Sequence, residues 1–363
     1  MFGNQQRLEF LLNQLISICN QEQTLDPGLV DELADLLLTD KSAARAFDVT
    51  AENSNEVAWE RSHLLQSIYP KLWEFCSNTL RWQTCPLPTV WNLWLPLAVQ
   101  LAEERQKLNR PLIQGILGGQ GTGKTTLAAI LKLILEHLGY QVCQLSLDDL
   151  YMTYMERLQL QQADPRLRWR GPPGTHDVEL GVQVLQQLRQ AGHQPIAIPR
   201  FDKSARYGAG DRTTPEVVID VDILLFEGWF VGVRPIDPIA FDTSPPPIVT
   251  DADRVFACDI NARLQDYVPL WDQLDRLLVL YPSDYRLSQE WRRQAEQQMI
   301  ATGRTGMSDD EINQFVEYFW RSLHPDLFIK PLLHDCNHVN LVIEINPDHS
   351  PYALYCPSNA NAG

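Results

Sequence analysis

The sequence predicts an α/β fold, a three-layer sandwich with a mostly parallel central sheet, preceded by an α-helical N-terminal extension. Three observations predict it. Gly118, Gly123, Lys124 and Thr125 within GGQGTGKTT hold the fixed positions of G-x-x-x-x-G-K-[ST], the P-loop pattern, between a short apolar run and a segment of helical apolar spacing. From Pro111 onward, short apolar runs alternate with helical segments, the signature of a parallel sheet covered on both faces. Before Pro111 only helical spacing is found. The boundaries fall at 1–109 for the extension, 110–350 for the P-loop domain and 351–363 for a tail.

In the extension, Leu8, Leu11, Leu12, Leu15 and Ile16 recur at helical spacing. Leu29, Leu33, Leu36 and Leu37 repeat the pattern after Asp26-Pro27, a helix start. Residues 57–80 and 90–108 read as two more helices, with a Pro-punctuated turn at 85–88 between them. Trp59, Trp73, Trp82, Trp91 and Trp94 read as packing residues. In the second part, 111–117 fits a buried strand and 125–138 a helix. Residues 141–147 form a strand ending at Asp148-Asp149, and 155–162 a helix. A basic, Pro/Gly-rich loop covers 164–174, and a helix covers 177–190, ended by Gly192. A short strand at 195–199 leads into a polar loop at 200–214. The apolar strand 217–226 ends in Glu227-Gly228. Five prolines between 235 and 247 mark an irregular excursion. Then come a helix at 259–274, a strand at 276–281 and a long polar helix at 283–302. Ser308-Asp309-Asp310-Glu311 is a capping box that opens another helix. The strand 338–345 closes the sheet.

Composition excludes several partners. The net charge of −16 argues against nucleic acid or an anionic membrane surface, and any bound anion then needs a local cationic pocket. Seven cysteines without a C-x-x-C pair fit a reducing compartment rather than a disulfide framework. No apolar run approaches a membrane span, and MFGNQQRLEF has no signal-peptide pattern, so a cytoplasmic protein is expected. The expected partner is a small molecule, and the expected state a monomer.

The motif dictates its own chemistry. Glycines let successive backbone N–H groups turn inward around phosphate oxygens, and the helix that follows adds its positive end. Gly118, Gly119, Gln120, Gly121, Thr122, Gly123, Lys124, Thr125 and Thr126 are therefore the expected ATP-binding residues. Lys124 reaches the β- and γ-phosphates, and the Thr125 hydroxyl is an Mg²⁺ ligand. No N-K-x-D is present, so a guanine-reading GTPase is not indicated. Asp148, Asp149 and Glu227 stand at strand ends, where ligands of parallel sheets bind. A kinase needs one carboxylate for the acceptor's proton and another for the metal, and these positions supply both.

Ser146-x-Asp148-Asp149-x-Tyr151 and Leu224-Leu225-Phe226-Glu227-Gly228 resemble the uridine kinase, phosphoribulokinase and pantothenate kinase superfamily. More specifically, GQGTGKTTL, SLDDLY, RGPPGTHDVEL, PRFDKSARYGAGDR with LLFEGWFVG, and RRQAEQQMIATGRTGMSDDEINQF resemble the plant-type D-glycerate 3-kinases, in that family's order. The resemblance runs from about residue 111 to about residue 345 and leaves out the extension. It implies ATP- and Mg²⁺-dependent phosphorylation of D-glycerate on its 3-hydroxyl, a photorespiratory step in a photosynthetic organism. It makes Asp148 the general base, Glu227 the Mg²⁺-side acid and Arg292 a lid arginine over the transferring phosphate. Lys124 completes the catalytic set. Asp149 is a second metal-side acid, together with Thr125 and Glu227. Asp149, Tyr151, His176, Arg200, Lys203 and Arg212 are the expected acceptor-site residues, with Arg170 a further candidate for the substrate carboxylate. Arg304 is a possible hinge contact. Two alternatives stay open here: a related kinase acting on a nucleoside, pantothenate or a sugar phosphate, and a nucleotide-binding regulatory module.

Overall fold

The computed structural model describes residues 2–19, 25–190, 193–301 and 307–358. Gly192 and Arg304, singled out above, lie outside them. The strands are β1 Leu112–Gly118, β2 Val142–Ser146, β3 Ile196–Asp202, β4 Asp211–Val218, β5 Ile223–Gly228, β6 Arg276–Pro282, β7 Leu341–Ile345 and β8 Pro351–Tyr355. Six form the central sheet in the order β2-β5-β1-β6-β7-β8. All its pairs are parallel except β7–β8. Burial on both faces explains why β1 and β5 read as mostly apolar runs, with every residue buried, Gln114 and Glu227 included.

Successive strand residues point to opposite faces and so divide the core in two. Leu112, Ile116, Ile223, Leu225, Leu278 and Leu280 face one cluster; Ile113, Leu117, Leu224, Phe226, Leu277 and Val279 face the other. The N-terminal helices α1 Phe2–Cys19, α2 Pro27–Leu37, α3 Lys41–Ala46, α4 Ser54–Glu74 and α5 Leu95–Lys107 belong to the first cluster, with α6 Lys124–His137. The extension is therefore one of the three layers and shares its core with the P-loop helix. Leu65, Ile68, Leu72 and Trp91 are fully buried in it. Exposing each aliphatic side chain of this set would cost roughly 1.5–3 kcal/mol. Arg105 of α5 reaches Asp222, at the entrance of β5, at 2.9 Å.

The third layer contains α8 Val178–Arg189 and α9 Asp251–Arg263; α7 Tyr154–Ala163 precedes them and buries none of its residues. Helices α10 Leu287–Ala301 and α11 Asp309–Ser322 follow β6. Ser308 caps α11 with Glu311 in the reciprocal arrangement that its spacing predicts.

Five expectations need correction. Of the five tryptophans read as packing residues, Trp91 and Trp94 are buried, whereas Trp59, Trp73 and Trp82 are exposed. Residues 200–214, expected to be a loop, form most of the β3–β4 hairpin, which pairs antiparallel apart from the main sheet. The run 217–226 is not one strand: Asp220, at φ 56°, breaks it between β4 and β5. The helix expected at 259–274 starts instead at the Thr250–Asp253 capping box and ends at Arg263. Residues 351–355, assigned to a tail, form β8, so β7 does not close the sheet. No helix among the described residues is long and apolar enough to cross a membrane.

Candidate active site

The P-loop joins the end of β1 to the start of α6. Gly123, the N-cap of α6, has φ 84°, where only glycine is unstrained. At Gly121 the limit is also space. A Cβ there would lie 2.7 Å from Cβ of Trp291, so α10 rests directly on the loop. Trp291 is itself fixed, its indole N–H donating to the Pro347 carbonyl at 2.9 Å and its ring stacking on His349.

Inside the loop, Lys124 Nζ donates to the Gly119 carbonyl at 3.4 Å and lies 4.0 Å from the Glu227 carboxylate. The Thr125 hydroxyl donates to Glu227 Oε1 at 3.2 Å. The Thr122 hydroxyl donates to the Gly119 carbonyl at 2.9 Å, which closes the turn. Glu227 Oε2 and Gln120 Oε1 are buried and have no hydrogen-bond partner among the described residues. Orphaned acceptors of this kind are costly unless a ligand supplies what they lack. Gly118 ends β1, and Thr126 is half-buried in the first turn of α6.

The sheet register brings the second acid to the same end. Glu227 of β5 pairs with Ser146 of β2, and Asp148 lies two residues beyond Ser146. Residues 147–150 form a short 3₁₀ turn that tilts the two aspartates differently. The Asp148 carboxylate meets Lys203 Nζ at 2.6 Å, and the Tyr151 hydroxyl bonds it as well. Burial pushes the Asp148 carboxyl upward. Lys203, Tyr151 and Lys124 outweigh it and hold the group below the usual carboxylate range, so it is ionised.

Asp149 is otherwise employed. One oxygen accepts from Ser146 N–H and from Arg200, both at 3.1 Å, and the other accepts from Phe201 N–H at 3.1 Å. Burial raises its carboxyl pKa. Its carboxylate caps the 3₁₀ turn and anchors β3, which argues against the metal and substrate roles expected of it. Arg200 is committed in the same way, to Asp149, to Glu216 at 2.6 Å and to the Gln144 carbonyl at 2.9 Å. Arg212 donates to the Tyr151 carbonyl at 2.9 Å and to Asp177 at 2.8 Å. Arg170 donates to the Gly208 and Ala209 carbonyls at the hairpin tip. These arginines build the hairpin rather than await a carboxylate. Lys203 is different: its side chain is 63 % exposed, and among the described residues its ion pair is with Asp148 alone.

Arg292 of α10 pairs with Glu296 one turn on and lies 5.3 Å from the Phe315 ring. Its expected phosphate-facing role finds a guanidinium already held within its own helix pair, although Nε is buried with no hydrogen-bond partner among the described residues. His176 is 2 % exposed and stacks on Tyr151 at 4.6 Å. Burial pushes its imidazole down to about 3, so it is neutral. Segments 150–152 and 175–177 are stitched together by Met152 N–H to the Thr175 carbonyl and Asp177 N–H to the Leu150 carbonyl. Sequence reasoning missed two contributors. Arg157 of α7 donates to the carbonyls of Met152, Ala209 and Gly210 and so clamps the hairpin tip. Tyr267 bonds His176 Nδ1 at 2.8 Å. Neither lies in a motif, and nothing in their local sequence marks them.

No family model matches the chain. It is similar to the chloroplastic D-glycerate 3-kinase of Arabidopsis thaliana, 32 % identical over 255 residues that cover 66 % of this chain and 54 % of that protein. The chain thus spans about half the length of that relative. It is also similar to an uncharacterized kinase of Schizosaccharomyces pombe, 32 % identical over 230 residues that cover 60 % of this chain and 82 % of the relative. Among solved structures it resembles a D-glycerate 3-kinase from Cryptococcus neoformans, with TM-score 0.62 and 29 % identity, covering 71 % of this chain and 95 % of that one. With a P-loop, an acid at the end of the adjacent strand and this likeness, the chain belongs to the family of P-loop kinases that includes the Arabidopsis D-glycerate 3-kinase.

Proposed function

We propose that the chain transfers the γ-phosphate of ATP to the 3-hydroxyl of D-glycerate, giving 3-phospho-D-glycerate and ADP. The observation that carries this reading is the Lys203–Asp148 pair at the Glu227 end of the sheet. It sets an ionised base beside an exposed cation that the hairpin does not consume, in a chain whose relatives include a D-glycerate 3-kinase. The α6 N-terminus and Lys124 bind the phosphates. Lys203 turns to the glycerate carboxylate, and Asp148 takes the hydroxyl proton. The new O–P bond forms at the γ-phosphorus as the bond to the bridging β,γ-oxygen breaks and ADP leaves.

Magnesium fits the donor side, because Glu227 Oε2 is a buried carboxylate oxygen with no hydrogen-bond partner among the described residues and only the distant Lys124 Nζ, at 4.0 Å, as counter-charge, while Oε1 accepts from the Thr125 hydroxyl. Thr125 and Glu227 would hold it, and the ion would neutralise charge on the transferring group. Lys124 and the loop amides orient the phosphates whether or not the ion is bound.

The test is a coupled assay of the purified chain with Mg-ATP and D-glycerate, uridine or pantothenate, with the product's phosphate position read by ³¹P NMR. D-Glycerate should be the preferred acceptor and 3-phosphoglycerate the product. Preference for uridine or pantothenate would overturn the reading.

A further inference from the structure

Among the described residues of the acceptor side, His176 carries a ring nitrogen that the fold leaves unused. His176 is 2 % exposed, and its Nε2 is buried with no hydrogen-bond partner among the described residues. Its other nitrogen, Nδ1, lies 2.8 Å from Tyr267 Oη. Tyr267 is fully buried, and its Oη also receives the Gly174 N–H at 2.9 Å. A phenol has one proton to give. With Gly174 donating to Oη, and no other acceptor for the Oη proton among the described residues, that proton goes to His176 Nδ1. Nδ1 is then the acceptor, and the ring's own hydrogen sits on Nε2.

The direction of that hydrogen follows from the packing. Nδ1 faces Tyr267 in the core, so Nε2, on the far edge of the ring, faces away from it. The ring lies over Tyr151 at 4.6 Å with an interplanar angle of 21°, and the Tyr151 hydroxyl bonds the Asp148 carboxylate. Phe230 meets the imidazole edge-on at 5.5 Å and gives it no acceptor. A buried N–H held in place on its opposite edge, with no acceptor among the described residues, is placed to donate to a bound molecule.

We propose that Tyr267 is a positioning residue that fixes His176 as the Nε2–H tautomer, and that this N–H is a specificity-determining donor to an oxygen of a small hydroxy-acid acceptor. The second half rests on the function proposed above; the first half does not. A site built around a fixed donor discriminates by leaving that donor unpaired when the wrong molecule binds. An acceptor presenting an N–H or a methyl group at that point is rejected, and one presenting a hydroxyl or carboxylate oxygen is held.

Two measurements test this on the full chain. The first is ¹⁵N NMR of histidine-labelled protein without substrate. Nε2 of His176 should carry the proton, and Tyr267→Phe should yield a mixture of tautomers. A wild-type Nδ1–H tautomer overturns the proposal. The second is steady-state kinetics. Tyr267→Phe should raise KM for D-glycerate about tenfold, and His176→Phe should lower kcat/KM for D-glycerate on the order of 100-fold, with KM for ATP unchanged in both. His176→Gln, whose amide N–H can stand in for Nε2–H, should recover to within about threefold of wild type. Calorimetric Mg-ADP binding by each variant verifies that it is folded. Unaltered D-glycerate kinetics in folded Tyr267→Phe and His176→Phe overturn the donor role. If wild-type protein phosphorylates no hydroxy acid, the functional reading and the substrate half fall together, and the NMR result alone decides the tautomer.

Discussion

The two halves of the site are built on opposite plans. On the nucleotide side, nearly everything comes from one contiguous loop plus Glu227, and buried acceptors such as Glu227 Oε2 and Gln120 Oε1 are left without partners. On the acceptor side, the residues come from β2, the 150–152 and 175–177 segments and the β3–β4 hairpin, and almost every charge is spent on another: Asp149 on Arg200, Asp177 on Arg212, Asp148 on Lys203. The first half waits for a ligand to complete it. The second is electrically complete, and a substrate must replace an existing contact. A nucleotide that arrives with its cation can therefore add to the donor half outright, the cation meeting Glu227 and the loop amides and Lys124 meeting the phosphates, whereas a small acceptor is selected by which internal pairs it can take over.

Asp148→Asn is the largest break. It removes the base and leaves the phosphate cradle intact. kcat should fall by about 10²–10⁴-fold, with Mg-ADP affinity by calorimetry unchanged. Equal losses in both would mean that Asp148 belongs to the nucleotide half. Next comes ligand-induced stabilisation. Because the donor half carries the orphaned acceptors, saturating Mg-ADP alone should raise thermal stability, by about 2.7 kcal/mol at a hundredfold excess over Kd. D-Glycerate alone should do much less. A larger shift with glycerate alone would reverse the comparison.

Lys203→Met sharpens it further through pH. Asp148 has its pKa held below the usual carboxylate range against the upward push of burial, with Lys203 the foremost opposing cause. A group whose folded pKa is depressed contributes stability that is full above its unfolded pKa and is lost as pH falls through the folded value. Lys203→Met should therefore move the acid limb of kcat/KM upward and make acid unfolding begin at higher pH. KM for D-glycerate should also rise, by about tenfold. A pH profile that does not move would separate Lys203 from the base.

How much of this was legible follows the same division. The P-loop, Glu227 at the end of an apolar run and the Ser308 cap are short-range patterns, and each is readable because its physics acts within a few residues. The hairpin was not. β4 is exposed along most of its length, so no apolar alternation announces it, and its hairpin is held by Asp149 and Arg157 from distant parts of the chain. Tyr267 acts on His176 across 91 positions. The extension showed its amphipathic period but not its counterpart, since a helical stripe does not say which sheet face it covers. Asp148 and Asp149 are adjacent and alike in sequence. Only the 3₁₀ turn separates a carboxylate turned to Lys203 from one consumed by the backbone.

The smallest catalytic effect belongs to Arg200, and it is the most exacting test of the division. Its guanidinium joins Asp149 to Glu216 and to a β2 carbonyl, with side-chain exposures of 25 % for Arg200 and 16 % for Asp149. Arg200→Met keeps the length of the stem and removes the charge. Asp149 would retain its two backbone donors but lose its cation, so stability in urea should fall by about 1–3 kcal/mol. KM for D-glycerate should change less than about threefold, because the hairpin is still held at its tip by Arg157 and Arg170. The opposite pattern, unaltered stability with a glycerate KM raised tenfold or more, would make Arg200 a substrate ligand. The acceptor half would then, like the donor half, be holding a group for its ligand.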